Sequence, residues 1–172
     1  GALIPAEQRA TVIELLQAGA QVTISTDGSA PYVSYDLFKD ISRAIWTQWD
    51  RFKDQTLLPP GKALRMVTIE AAQALGLDHL VGSLEPEKRA DIILVDFNRP
   101  HLVPGELIPR QLAFYVNGND VETVIVNGKI LMQDRKVLSV DEQEIVEMAR
   151  EEASLAFERH DISPYVEMNE TF

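Results

Sequence analysis

Ala18-Gly-Ala-Gln-Val-Thr-Ile-Ser-Thr-Asp-Gly-Ser29 is the stretch on which the fold turns. Val22, Thr23, Ile24 and Thr26 are β-branched, a composition that suits a pleated, partly buried surface, and predict a strand over residues 20–26. Upstream, Val12, Leu15 and Leu16 recur at three- and four-residue spacing among Glu7, Gln8, Arg9 and Glu14. That period predicts a helix over residues 6–18, begun at Pro5 and stopped by Gly19. Helix, glycine turn, strand and polar end make an αβ unit, and such units build parallel sheets. The strand runs straight into Asp27-Gly28-Ser29. In parallel α/β folds, substrates and catalytic groups gather at the carboxyl ends of strands. A carboxylate there can ligate a metal and accept a proton from bound water. Without that context the same residue is a turn or helix-capping aspartate, and position alone leaves both readings open.

Downstream, Pro31 marks a loop and residues 35–54 read as a long amphipathic helix, with Leu37, Ile41, Ala44, Ile45, Gln48 and Phe52 on one stripe. Trp46 and Trp49 sit three apart beside it, and packing is their plainest role. Leu57-Leu-Pro-Pro-Gly61 breaks the chain, and residues 62–75 form a further helix closed by Gly76. The pattern then changes. Residues 90–97 read as a strand. Two apolar runs, 121–126 and 129–132, flank Asn127-Gly128, the strongest short hairpin signal. Residues 135–140 add a possible strand. Residues 141–158 form a helix with Asp141 and Glu144 in capping-box spacing and Ile145, Met148, Ala149, Leu155 and Ala156 expected inward. Periodicity fades after His160.

Composition bounds the function. A chain of 172 residues, 45% hydrophobic and 25% charged, suits one compact globular domain, with no apolar run near the ~18–20 residues of a membrane span. There are no cysteines, which removes disulfides, thiolate metal sites and cysteine nucleophiles and fits a cytoplasmic setting. The net charge of −11 argues against nucleic acid or an anionic membrane as partner. Residues 141–172 carry −8 of it and residues 1–140 only −3, so the acidity marks a solvated C-terminal face rather than a substrate.

Few motifs compete for the chemistry. His79, His101 and His160 lack the His-x-His or His-x-x-x-His spacing that brings two imidazoles to one metal ion. Each reads as a surface or hydrogen-bonded histidine. No Gly-x-Ser-x-Gly, P-loop or Gly-x-Gly-x-x-Gly is present.

Four segments in order carry a resemblance. Residues 18–28 resemble the last barrel strand of the metal-dependent amidohydrolase superfamily. Met66-Val-Thr-Ile-Glu-Ala-Ala-Gln-Ala-Leu-Gly76 resembles the helix after the barrel. Residues 82–96 resemble the return into a small β-sandwich, and Val124-Ile-Val-Asn-Gly-Lys129 the terminal hairpin. Asp27-Gly-Ser29 and Arg99-Pro-His-Leu102 are most similar to the cytosine deaminase, methylthioadenosine/S-adenosylhomocysteine deaminase and triazine hydrolase group. Ser25 and Glu87 stand where that family usually has glycine.

The resemblance implies an α/β fold: the last part of a (β/α)8 barrel over residues 1–76, a small β-sandwich portion over 77–140, and an acidic C-terminal helix and tail over 141–172. It implies a divalent metal, zinc or alternatively iron, with Asp27 as metal-contacting, proton-shuttling residue and Ser29 lining the substrate pocket. Metal-activated water would remove an amino, amine or chloride group from a heterocyclic ring. The other metal ligands and about seven barrel strands have no counterpart here, since a whole barrel takes ~250 residues. The expectation is therefore a C-terminal segment, inactive alone, whose partners are an N-terminal barrel segment, a small heterocyclic substrate and a second copy in a homo-oligomer. The alternatives are a non-catalytic structural module that keeps the family's end, or a ring amide hydrolase of the dihydropyrimidinase type.

Overall fold

The computed structural model describes residues 11–27 and 34–160. Its elements run α1 (Val12–Gln17), α2 (Leu37–Phe52), α3 (Pro60–Met66), α4 (Ile69–Ala74), β1 (Ile92–Val95), α5 (Ile108–Phe114), a 3₁₀ turn (Gly118–Asp120), β2 (Val121–Val126), β3 (Lys129–Gln133), β4 (Lys136–Val137) and α6 (Glu142–Arg159). No helix among the described residues is long and apolar enough to cross a membrane.

The core gathers around α2. Its Ile41, Ile45, Gln48 and Trp49 are buried at the spacing of one helical face, and Ile13, Leu58, Ala63, Met66 and Ala113 close over them. Burying an isoleucine such as Ile45 contributes about 1.5–3 kcal/mol. Arg51 near the end of α2 pairs with both oxygens of Glu14 on α1, one bond at 2.8 Å, tying the two helices together at the surface. Trp49 donates its indole N–H to the Leu57 carbonyl, and its ring meets Trp46 edge-on at 5.3 Å and Phe114 at 5.5 Å. The tryptophan pair packs, with Trp46 half exposed.

The helix expected over 62–75 is two helices. Thr68 leaves helical backbone at φ −123, ψ −106, and its hydroxyl bonds back to the Leu64 carbonyl at 2.8 Å. After the break, Gly82 at φ +95 lies so close to α4 that a Cβ there would come within 2.7 Å of the Ala72 Cβ; only glycine fits.

The sheet is antiparallel, in the order β1-β2-β3-β4, with Ile93 opposite Val124 and Val126 opposite Lys129. Asn127 and Gly128 turn the β2–β3 hairpin with φ of +50 and +77, as a two-residue turn of this hand requires. The αβ unit pointed instead to a parallel sheet containing residues 20–26. That segment is not a strand here. A strand is defined by its ladder, and the backbone bonds of 20–26 do not form one: Ala20 N–H turns back to Leu15 O at 2.9 Å, and Ile24 N–H points to Met66 O at 3.4 Å.

Two further differences concern helices. Residues 77–140 read from the sequence as antiparallel β, and α5 lies among them and sends Ala113 and Phe114 into the helical core. At seven residues, with Pro109 in its first turn, it is too short for a clear period. In α6 the expected inward positions are outward. Ile145 is 51% and Met148 54% exposed, and the helix buries none of its residues because no described element packs on it.

A candidate active site at Asp27

Burial alternates along residues 21–27. Val22, Ile24 and Thr26 are half buried, with Val22 and Ile24 packed on the α2 core, while Gln21, Thr23, Ser25 and Asp27 are exposed. That period of two is the signature of a strand with one covered face. Its polar, uncovered face ends in Asp27.

Asp27 sits at φ +56, in the left-handed region. Aspartate tolerates that conformation better than most side chains, at a cost of about 1–2 kcal/mol relative to ordinary backbone. Lys53, Leu58, Glu87, Asn127, Asp134 and Arg135 share that region among the described residues, so what singles out Asp27 is its place at the end of the alternating segment. Ser29 lies outside the described residues. Two open grooves, about 520 and 480 Å³, lie elsewhere, beside α2 and α5 and between α4 and β1.

Among the described residues, no group of three or more His, Cys, Asp or Glu could hold a metal ion. Catalytic zinc takes three protein ligands, so the described residues do not fit a metal by themselves. His101 Nε2 lies 3.1 Å from the buried carboxylate of Asp120, which also accepts from the backbone and side-chain amides of Asn117, each at 2.9 Å. That cluster pins the loop after β1 to the turn before β2.

A second aspartate was missed by the motif reading. Ser34 and Asp36 are the first described groups after Asp27 whose side chains hold the backbone. The Ser34 hydroxyl accepts from Asp36 N–H at 3.1 Å. One oxygen of Asp36 caps α2 through Phe38 N–H at 3.2 Å, and the other accepts from Gly118 N–H at 3.1 Å, 82 residues away. An aspartate just before an apolar period is a legible cap; the bond to Gly118 leaves no local trace. The outer loops carry their own pairings. A backbone bond from Asn98 and the guanidinium of Arg135 hold the Asp96 carboxyl below its usual range.

Residues 2–131 match the amidohydrolase family. The chain belongs to that family. Its amidohydrolase relatives include a 5-methylthioadenosine/S-adenosylhomocysteine deaminase of Pelotomaculum thermopropionicum, 44% identical over 144 residues, which are 84% of this chain and 33% of the relative. A 5'-deoxyadenosine deaminase of Methanococcoides burtonii is 40% identical over 84% of the chain and 33% of its own length. Among solved structures, a zinc-bound adenosine deaminase of Xanthomonas campestris superposes with a TM-score of 0.78 at 28% identity, covering 81% of this chain and 32% of that one. The atrazine chlorohydrolase of Arthrobacter aurescens, complexed with zinc, gives 0.73 at 26% identity over 80% and 31%. The chain thus spans about a third of the length of the curated relatives it matches.

Glu87 adopts φ +72. That left-handed backbone is one glycine would adopt without strain.

Proposed function

We propose that this chain is the C-terminal third of a metal-dependent amidohydrolase that deaminates a 5'-substituted adenosine. Residues 1–76 would supply the last strand and helices of a (β/α)8 barrel, 77–140 a portion of a small β-sandwich, and 141–172 an acidic outer helix and tail. The observation that carries the reading is Asp27 itself: a left-handed aspartate at the end of a strand-like segment with one face packed on its own helices and the other uncovered. An N-terminal barrel segment would flank that segment with strands and bring the remaining ligands of zinc or iron to the uncovered face. The deaminase names of the relatives favour an adenine ring over a triazine, and ammonia over chloride as leaving group.

The reaction is a hydrolysis. The oxygen of water bonds to the ring carbon that bears the amino group, the exocyclic C–N bond breaks, and ammonia leaves. The proton lost by water ends on the departing nitrogen. A carboxylate held beside both can accept it and return it, a service worth about 10²–10⁴-fold in rate. Asp27 is assigned that role, with Ser29 beside the substrate. A homo-oligomer is part of the same proposal.

The test is ammonia release from 5'-methylthioadenosine by the longer protein that contains this chain, by its Asp27→Asn variant and by the 172-residue chain alone. Turnover is expected from the first only, with at least a hundredfold loss in the variant. Full turnover in Asp27→Asn removes the residue from the mechanism. Turnover by the chain alone overturns the claim that the site is shared with another segment.

A further inference from the structure

We propose that the groove between α2 and α5 is the seat for α6 of a second copy of this chain, each copy giving its own helix and receiving the other's. The inference gives a surface to the homo-oligomer proposed above and rests on that part of the reading alone.

The groove, about 520 Å³, is built from two neighbouring rows of α2 and the end of α5. Phe38, Ser42 and Trp46 follow one another at four-residue steps, and Lys39, Arg43 and Thr47 do so in the next row. Its walls are aromatic. Trp46 stands edge-on to Phe114 at 5.7 Å, and Trp46 and Tyr115 are both half exposed. Its rim is cationic. Lys39 and Arg43 pair with Asp36 and Asp40, but each of those carboxylates is only 14% exposed, whereas the cations are 60% and 57% exposed. Positive charge is therefore what this surface presents. Arg110 adds a third cation, its guanidinium 5.4 Å from the centre of the Phe114 ring. Exposed tryptophan, tyrosine and arginine are the side chains that anchor protein interfaces.

α6 carries the complementary face. Ile145, Met148, Ala149, Leu155 and Ala156 share an apolar stripe, and α6 buries none of its residues. Glu144, Glu147, Glu151 and Glu158 recur at spacings of three, four and seven along one flank of that stripe. Over the whole helix, six glutamates stand against two arginines. An apolar stripe edged with acids fits an aromatic groove edged with cations, the helix-in-groove mode of recognition with opposite charges across the rim.

Charge also selects among occupants. Two α6 helices packed on each other would set acidic flank against acidic flank. The second groove, between α4 and β1, is apolar, but the ionisable residue in its lining is Asp91, which opposes an acidic helix. The cationic groove and the acidic helix belong to one chain, so two copies satisfy both at once. Reciprocal exchange closes the pair about a two-fold axis and makes every contact twice.

Sedimentation velocity on the longer protein tests the exchange. Wild type is expected to be a dimer. Lys39→Glu with Arg43→Glu should raise the dimer Kd about tenfold or more, and Glu144→Lys with Glu151→Lys should do the same. All four substitutions together restore opposite signs and should bring Kd back to within about threefold of wild type. Met148→Asp puts a charge into the stripe and should also weaken the dimer about tenfold or more. Because Met148 is exposed within its own chain, the circular dichroism of that variant should match wild type. A monomeric wild type overturns the proposal, as does a dimer indifferent to both reversals. Reversals that weaken the dimer singly but are not repaired in combination overturn the match of helix to groove. A dimer that responds as expected yet releases no ammonia from 5'-methylthioadenosine leaves the docking standing and sinks the deaminase reading instead.

Discussion

α2 and α6 are built alike and end in opposite surroundings. Each is started by an aspartate: Asp36 caps Phe38 N–H, and Asp141 accepts from Gln143 and Glu144 N–H at 2.9 and 3.2 Å. Each repeats apolar side chains at three- and four-residue spacing. Yet Ile45 of α2 is fully buried, while Ile145 of α6 is half exposed, as are Met148 and Phe157. An amphipathic pattern specifies a face that can be buried, not the surface that buries it. The surfaces that cover α2 come from α1, α3, α5 and the Leu58 loop, all within this chain. None of the described residues covers α6.

The largest effect that tests this contrast lies in the α2 core. Ile45→Ala leaves a cavity beneath a fully enclosed position and should cost about 2–5 kcal/mol in urea unfolding. A loss below about 1 kcal/mol would mean that the helix cluster is not what holds the chain together. Next comes the α6 cap. Asp141→Ala removes two bonds to otherwise unpaired amides and should cost about 1 kcal/mol of helix stability. Circular dichroism should show lost helix while the unfolding midpoint of the core stays put. A midpoint that moves with it would show that α6 is coupled to the core after all.

The parts legible in the sequence are those whose causes are local. The Asn127-Gly128 hairpin needs only two positive φ angles, and α2 needs only a cap and a period; both fall within two residues of where the sequence puts them. What the sequence hides depends on distant partners. The segment 20–26 has strand composition and alternating burial, but pairing requires neighbours that the described residues do not supply. The break at Thr68 has no local signature: its hydroxyl bonds back to Leu64 O, but so does that of Thr47 to Arg43 O inside the unbroken α2. Asp27 was legible by its place after an apolar run, whereas its left-handed backbone was not. The bond from Asp36 to Gly118 joins positions 82 residues apart and has no signature in either stretch.

A smaller effect separates the covered region from α6 by pH. Glu70 on α4 is drawn upward by burial, but Lys62 Nζ at 2.6 Å and Arg65 Nε at 3.1 Å on α3 outweigh that and hold its carboxyl below the ordinary 4.5. A depressed folded-state value stabilises above the unfolded pKa, and the contribution disappears as pH falls through the folded value. Glu70→Gln should therefore be less stable than wild type at neutral pH, by at most about 1 kcal/mol for so exposed a cluster. The two unfolding curves should converge as the pH drops below 4.5. A difference that persists unchanged in acid would assign the loss to packing across the α3–α4 break rather than to charge.

The smallest effect is the most discriminating. In this chain Ile145→Ser removes an apolar group already in water, and its cost should stay within about 0.5 kcal/mol, against several for Ile45→Ala. The same substitution in the longer protein need not be silent. If α6 is an outer helix covered by another segment or a second copy, Ile145 passes from solvent to interface there, and truncating it should cost about what a partly buried aliphatic costs, 1 kcal/mol or more. Equal, negligible losses in both contexts would place α6 in solvent throughout and make its stripe a consequence of composition. A large loss in the 172-residue chain would break the contrast from the other side, since α6 would then have a partner within the same chain.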